Sequence, residues 1–229
     1  VLLKILKSFW KQMKNLIIIP ARKGSKRLKN KNFLKLNGKS LLEHTIEFAK
    51  TVNNSDYIIV STDSKKLQKL SKNYDVLCPW LRPKNISDDK STSASVAIHA
   101  LKWFQKKYKQ SIDNVILMQP TSPFRKNKTY INCLNLIKKY PNYSIATFQK
   151  NRRHKYNFTG QNLVKLTNEE YLEPNGNLYF IKPRNLLKYK SFYKPKIKGY
   201  VIKNKYEKLD IDNIYDYNLA KLYSQKRSL

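Results

Sequence analysis

What most constrains this chain is a regular alternation of short apolar runs with helical periodicity. Residues 16–19, 57–61, 76–78, 114–118 and 144–148 read as strands, and residues 41–52, 64–73, 93–108 and 128–140 between them read as helices. Several of the runs are apolar at consecutive positions, so both faces of those strands must be covered. That is the signature of a parallel sheet flanked by helices, and the βαβ alternation predicts a doubly wound, mostly parallel α/β fold. Ligands of such sheets bind beyond the carboxyl ends of the strands. The loops after Ile19, Ser61, Cys78 and Met118 are therefore expected to line one pocket.

With 229 residues the chain has the length of one domain. The pattern breaks over 150–174 into a polar stretch without periodicity, which reads as an inserted flap within a domain spanning 13–229. Apolar segments resume at 178–181 and 197–202, and a last helix is expected over 213–224. Residues 1–12 alternate apolar residues with Lys4, Lys7 and Lys11. They read as a dispensable extension, with Met13 as the natural start and Val1 as an upstream GTG codon, the competing reading being an amphipathic surface anchor. The longest apolar stretch near the start, residues 16–21, is far short of the roughly 20 residues of a membrane span. Cys78 and Cys133 have no CxxC spacing, which argues against a disulfide framework or structural zinc and fits a reducing, cytoplasmic setting.

Lys and Arg number 47 against 15 Asp and Glu, a formal charge of +32 that by itself suggests a binder of nucleic acid or membrane surface. The excess is mostly Lys spread along the whole chain, with many Asn, Ile and Tyr and only 5 Gly, as codons from an AT-rich genome produce. No basic run is interleaved with stacking aromatics, and no helix-turn-helix pattern occurs, so no nucleic-acid partner is expected.

The first strand runs directly into Pro20-Ala21-Arg22-Lys23-Gly24-Ser25-Lys26-Arg27, followed by Lys29, Lys31 and Asn32. A loop of this composition can wrap a polyphosphate: Gly24 permits close backbone approach, Arg22 offers a bidentate fork and Lys26 a point charge. It is not a Walker loop, because GxxxxGK[ST] is absent.

The run IIIPARKGSKRLKNKN resembles the signature loop of the acylneuraminate cytidylyltransferases, which make CMP-activated sialic and related nonulosonic acids. Four further segments match in order: VSTD ending at Asp63; LRP at 81–83 with SDDKSTS at 87–93; LMQPTSPFR at 117–125; and PNGNLYF at 174–180 with DID at 210–212. The resemblance covers nearly the whole chain and implies a Rossmann-like nucleotidyltransferase fold.

It further implies that Arg22, Lys26 and Asn32 hold CTP, with Lys31 beside them, and that Arg82 and Ser93 complete the nucleotide site. Gln119 resembles the residue that contacts the sugar acid, Arg125 closes its loop, and Asn175 and Gly176 match a substrate-side turn. Asp210 and Asp212 match a Mg²⁺-binding pair, their alternation in an extended segment placing both carboxylates on one face. The alternative for Asp212 is the N-cap of the last helix. The flap at 150–174 matches a dimerisation element, so a homodimer is implied, with Arg152, Arg153 and Lys155 as candidates to reach the partner's sugar site. Lys23 and Arg27 depart from the family's usual pattern, standing where Gly is common.

Other candidates have plainer readings. His44 and His99 lack metal or triad partners and read as structural, Asp63 reads as the N-cap of the helix that follows, and Thr121 to Pro123 read as a turn. The expected reaction is attack of the anomeric hydroxyl on the α-phosphorus of CTP, with Arg22, Lys26 and Mg²⁺ neutralising charge and Asp212 the candidate for easing deprotonation of the attacking hydroxyl. Its rivals are a cytidylyltransferase for 3-deoxy-manno-octulosonate, which the Gln119–Pro123 match disfavours, and a non-catalytic basic binding protein on the same fold. The QPTSP loop leans toward neuraminate or legionaminate over pseudaminate.

Overall fold

The computed structural model describes residues 13–52, 57–88, 90–160 and 162–225, and only the backbone over 152–159 and 162–169. The expectations for residues 1–12, and for the side chains of Arg152, Arg153 and Lys155, lie outside the described residues.

The first strand, β1 (Asn15–Pro20), explains the architecture. Leu16 and Ile18 pack with Ala97, Leu101 and Phe104 of helix Ser93–Tyr108, whereas Ile17 and Ile19 pack with Leu42 and Ile46 of helix Leu41–Thr51 on the opposite face. A strand apolar on both sides needs helices above and below, and it is sheltered further by a parallel neighbour on each edge, β4 (Tyr57–Ser61) and β5 (Asn114–Leu117). A two-rung hairpin, β2 (Lys35–Leu36) with β3 (Lys39–Ser40), turns through Asn37 and Gly38, both at positive φ as a tight twisted turn requires. Ser40 then starts the next helix with a reciprocal capping box to Glu43.

The sheet is completed by β6 (Ser144–Thr159), β7 (Asn162–Ile181) and β8 (Ile197–Val201), in the order β4-β1-β5-β7-β6-β8. All strands are parallel except β7, which is antiparallel to both β5 and β6. This is the expected doubly wound, mostly parallel sheet. The strand expected at 76–78 contracts to a single bridge, Ile59 to Leu77. The short helix Pro183–Tyr189 was not foreseen, its apolar content being too slight for periodicity to show.

The segment 150–174 corrects an expectation of irregular structure. It is a long antiparallel hairpin arm, in which β6 and β7 pair from Phe148 and Pro174 out to Thr159 and Asn162, turning at Gly160. Outside the six-stranded body these rungs pair only with each other among the described strands. Strand formation there leaves no alternation in the sequence.

Candidate active site

Beyond the carboxyl ends of β1, β4 and β5 lies a cleft of about 330 Å³ whose lining includes Arg22, Lys31, Asn32, Arg82, Ser93, Gln119, Asp210 and Asp212. Eight of the residues singled out from sequence are thus brought together. Lys26 lies in a contiguous cavity with Arg22, Ser25, Arg27, Lys31 and Asp212.

The cationic loop after β1 is held from behind. Asn32 donates its side-chain amide to the Arg22 carbonyl at 2.8 Å, and the Lys23 N–H donates to Asp63 Oδ1 at 2.6 Å. This corrects the reading of Asp63 as a helix cap: Ser64 is the N-cap, accepting from the Leu67 N–H, and Asp63 instead anchors the cationic loop. Neither Lys23 nor Arg27 has positive φ, so their departures from Gly are accommodated without backbone strain. A Cβ at Gly24 would meet nothing within 4 Å, leaving open approach to that backbone.

Arg82 is buried, and its Nε and Nη2 find no partner among the described residues. Burial pushes its pKa down while Asp63 opposes the shift, so a cation stands at the wall of the cleft with donors waiting for an acceptor. His99 packs edge-on against Trp80, and burial with the Arg82 charge lowers its pKa, so it stays neutral beside that guanidinium. His44 hydrogen-bonds the Leu36 carbonyl at 2.8 Å. Both fit the structural reading given to them.

The aspartate pair is positioned by the residue between them. Ile211 is fully buried in a satellite core with Leu28, Leu36, Leu41, Phe124 and Ala220, and its N–H donates to the Thr121 carbonyl at 2.8 Å. With Ile211 turned inward, Asp210 and Asp212 both line the cleft. Burial raises the pKa of Asp210, a hydrogen bond with Thr121 opposes this, and the charge of Asp212 adds to it. Its Oδ1 is buried without a hydrogen-bond partner. Asp212 is not the helix cap, because Asn213 Oδ1 accepts from the Tyr215 and Asp216 N–H groups while Asp216 reaches back to Asp212 and Asn213. Asp212 instead faces Lys31 at 3.0 Å and Arg27 at 3.6 Å. Among the described residues no group of three or more His, Cys, Asp or Glu could hold a metal. Two carboxylates, one carrying an orphaned buried oxygen, do match a Mg²⁺ ion completed by phosphate and water.

Three residues named on the substrate side sit behind the cleft wall rather than in it. Arg125 is buried, donating to the carbonyls of Asn177 at 3.0 Å and Ser122 at 2.6 Å, to that of Gln119, and to the Thr45 hydroxyl at 3.3 Å. Asn175 is likewise buried and donates to the Glu207 carbonyl at 3.0 Å. Neither lines the cleft; both hold the turn that does. Gly176 sits at φ +73°, and a Cβ there would fall 2.7 Å from Gln119 Oε1 and 2.8 Å from Asp210 Oδ2. Its part is to let those two side chains stand close together. Gly176→Ala is expected to lose about 1–2 kcal/mol from the positive φ alone. It should also displace Gln119 or Asp210, checked by urea denaturation alongside CTP calorimetry. Wild-type values in both would remove this role.

A second compartment of about 230 Å³ opens on the other side of Gln119 and Ser93, with Tyr179, Lys190, Phe192 and Tyr193 in its wall. The Tyr193 hydroxyl donates to that of Tyr179 at 3.4 Å. Sequence reasoning singled out none of these aromatics: Tyr179 sits in the PNGNLYF segment without being assigned a role, and Phe192 and Tyr193 carry no local motif in a chain with 16 Tyr and 9 Phe.

A family profile described as cytidylyltransferase matches residues 16–229. The chain is 34% identical to the CMP-N,N'-diacetyllegionaminic acid synthase of Legionella pneumophila over 91% of this chain and 95% of that protein. It is 28% identical to the pseudaminic acid cytidylyltransferase of Campylobacter jejuni, covering 92% and 96%. It is 31% identical to the N-acylneuraminate cytidylyltransferase of Escherichia coli, covering 94% of this chain and 53% of that longer protein. Among solved structures, CMP:2-keto-3-deoxy-manno-octonic acid synthetase complexed with CTP superposes with a TM-score of 0.67 at 17% identity, covering 93% of this chain and all of that one, which shows the shared fold. A profile matched over nearly the whole length, on the sheet and cleft described above, shows that this chain belongs to the cytidylyltransferase family, with the CMP-nonulosonate synthetases.

Proposed function

We propose that the chain transfers CMP from CTP to the anomeric hydroxyl of an N-acylated nonulosonic acid of the legionaminate or neuraminate type, releasing pyrophosphate. The observation that carries this reading is the pair of compartments meeting at Gln119 and Ser93. One is lined by Arg22, Lys31, Arg82 and the aspartates, as a nucleoside triphosphate requires. The other combines aromatic faces, hydroxyls and Lys190, as suits an acidic sugar with acyl groups. The reacting oxygen and the α-phosphorus would meet at the shared wall.

In this reading Arg22 and Lys26 bind and orient the phosphates, Asn32 fixes the loop that carries Arg22, and Arg82 with Ser93 receives the nucleoside. Gln119 orients the sugar. Holding two anions in attacking geometry against fixed cations supplies most of the rate enhancement. Mg²⁺ held by Asp210 and Asp212 would add neutralisation of the phosphoryl oxygens.

A homodimer is part of the proposal, supported by an arm whose outer rungs pair with no other strand of the sheet. A cytoplasmic setting is supported by two buried cysteines left as free thiols and by described helices too short or too polar to cross a membrane.

The test is pyrophosphate release with CTP, or ATP as control, against N-acetylneuraminate, diacetyllegionaminate, pseudaminate and 3-deoxy-manno-octulosonate. Turnover should require CTP and favour the first two acids. Turnover only with the eight-carbon acid would overturn the assignment, as would equal use of ATP.

A further inference from the structure

The phosphate side of the cleft carries one cation that the proposed reaction has not yet used. A cavity of about 300 Å³ continues outward from the main cleft, sharing Arg22, Ser25, Lys31 and Asp212 with it and adding Lys26 and Arg27. Four cations around a single carboxylate make a site whose ligand must be a compact polyanion. The proposed reaction generates one such species, inorganic pyrophosphate, and places its precursor, the β,γ-diphosphate of CTP, at the inner end of this channel.

Arg27 is distinguished from the other cations by what holds it. Its Nη1 stands 3.6 Å from Asp212 Oδ2, longer than a charge-assisted hydrogen bond, with both side chains largely exposed at 77% and 51%. The other oxygen, Oδ1, is taken at 3.0 Å by Lys31, whose side chain is only 16% exposed. Of the two contacts on Asp212, the one to Arg27 is the looser and the more readily exchanged.

We propose that Arg27 is a diphosphate-binding residue that Asp212 holds in reserve and releases to the pyrophosphate group when the carboxylate engages a divalent cation. The inference rests on CTP being the CMP donor and extends that reading to the leaving group. A cation arriving at Asp212 repels the guanidinium and removes its partner, and the nearest anion is then the diphosphate in the cavity that Arg27 lines. The planar fork can grip two phosphoryl oxygens at once, which a lysine at the same position cannot. Because the two events share Asp212, the coupling is reciprocal: diphosphate that draws Arg27 away favours the cation, and the cation favours the diphosphate.

The experiment is calorimetric titration of the full chain with pyrophosphate, CTP and CMP, each in MgCl₂ and in EDTA, for wild type, Arg27→Gly and Arg27→Lys. With magnesium, Arg27→Gly should weaken pyrophosphate and CTP by about ten-fold or more, the loss of a charge-assisted contact, and leave CMP unchanged. Arg27→Lys should restore only part of it. In EDTA the penalty should shrink, because the wild-type guanidinium is then occupied by Asp212. Pyrophosphate binding equal to wild type in magnesium would overturn the role of Arg27, and an equal penalty in EDTA would overturn the hand-over. Wild type that binds no CTP would instead bring down the underlying nucleotide assignment. Melting curves should match throughout, since Arg27 is exposed.

Discussion

Asp212→Asn is expected to cut Mg²⁺-dependent turnover by about a hundred-fold or more, roughly 3 kcal/mol of barrier, while leaving the folded state intact. The two halves of that expectation separate because of the local structure. Asn213 and Asp216 cap the last helix, Ile211 pins the segment to the Thr121 carbonyl, and none of these contacts uses the Asp212 carboxylate. What the carboxylate does contact is Lys31 and Arg27, at a half-exposed position where ion pairs contribute about 0–1 kcal/mol. Replacing it with an amide keeps the shape and removes the charge a hard cation needs. Turnover measured across a magnesium titration, with a urea midpoint as the control, decides it. Near-normal turnover at every concentration would remove Asp212 from the metal pair.

Arg125→Met should act in the opposite way, through stability first. Its guanidinium serves the carbonyls of Gln119, Ser122 and Asn177 and the Thr45 hydroxyl from a buried position. Burial lowers its pKa, and the charges of Asp210 and Glu207 oppose that shift. Methionine of similar length fills the space and strands every one of those acceptors, at about 1–3 kcal/mol for each buried group that finds no substitute. Even one or two such groups left unpaired are a large part of a total stability of about 5–15 kcal/mol. Urea denaturation gives the loss directly, and a change below about 1 kcal/mol would show that Arg125 is not what holds this turn. Any surviving folded fraction should also bind sugar acid poorly, since the Gln119 carbonyl is among the groups released.

The parallel body was readable because its strands are buried on both faces, and β1 shows the logic in four consecutive apolar residues from Leu16 to Ile19. The arm was unreadable for a different reason: its outer rungs pair only with each other among the described strands, and the polar sequence over 150–174 carries no alternation to mark them. At the site, residues lining the cleft were legible where charge and chain position coincide, as for Arg22, Lys31 and the aspartates. Arg125 and Asn175 do not line the cleft: a polar residue in a motif reads the same whether it faces a ligand or a ring of backbone carbonyls, and only burial separates the two. Asp63 was misplaced by a single residue, Ser64 being as good a helix cap. The aromatic wall formed by Tyr179, Phe192 and Tyr193 is assembled from two separate stretches of chain, and no spacing rule could have joined them.

The position of β7 has a consequence for how the chain acquires its structure. The one strand of the described six-stranded sheet that runs antiparallel to its neighbours lies between β5 and β6, so the two halves of that sheet stay separate until it arrives. Residues 115–117 must find partners more than sixty positions later, at 179–181, an expensive loop to close by diffusion. The hairpin shortens that search. Pairing can start at the Gly160 turn between neighbours in sequence and zip inward, rung by rung, until Phe180 meets Ile145. By then Tyr179–Ile181 has been delivered to the open edge of β5. The arm is therefore also a kinetic guide, built of local contacts that assemble a non-local sheet, and Tyr179 of the second cavity's wall reaches its place by the same closing motion.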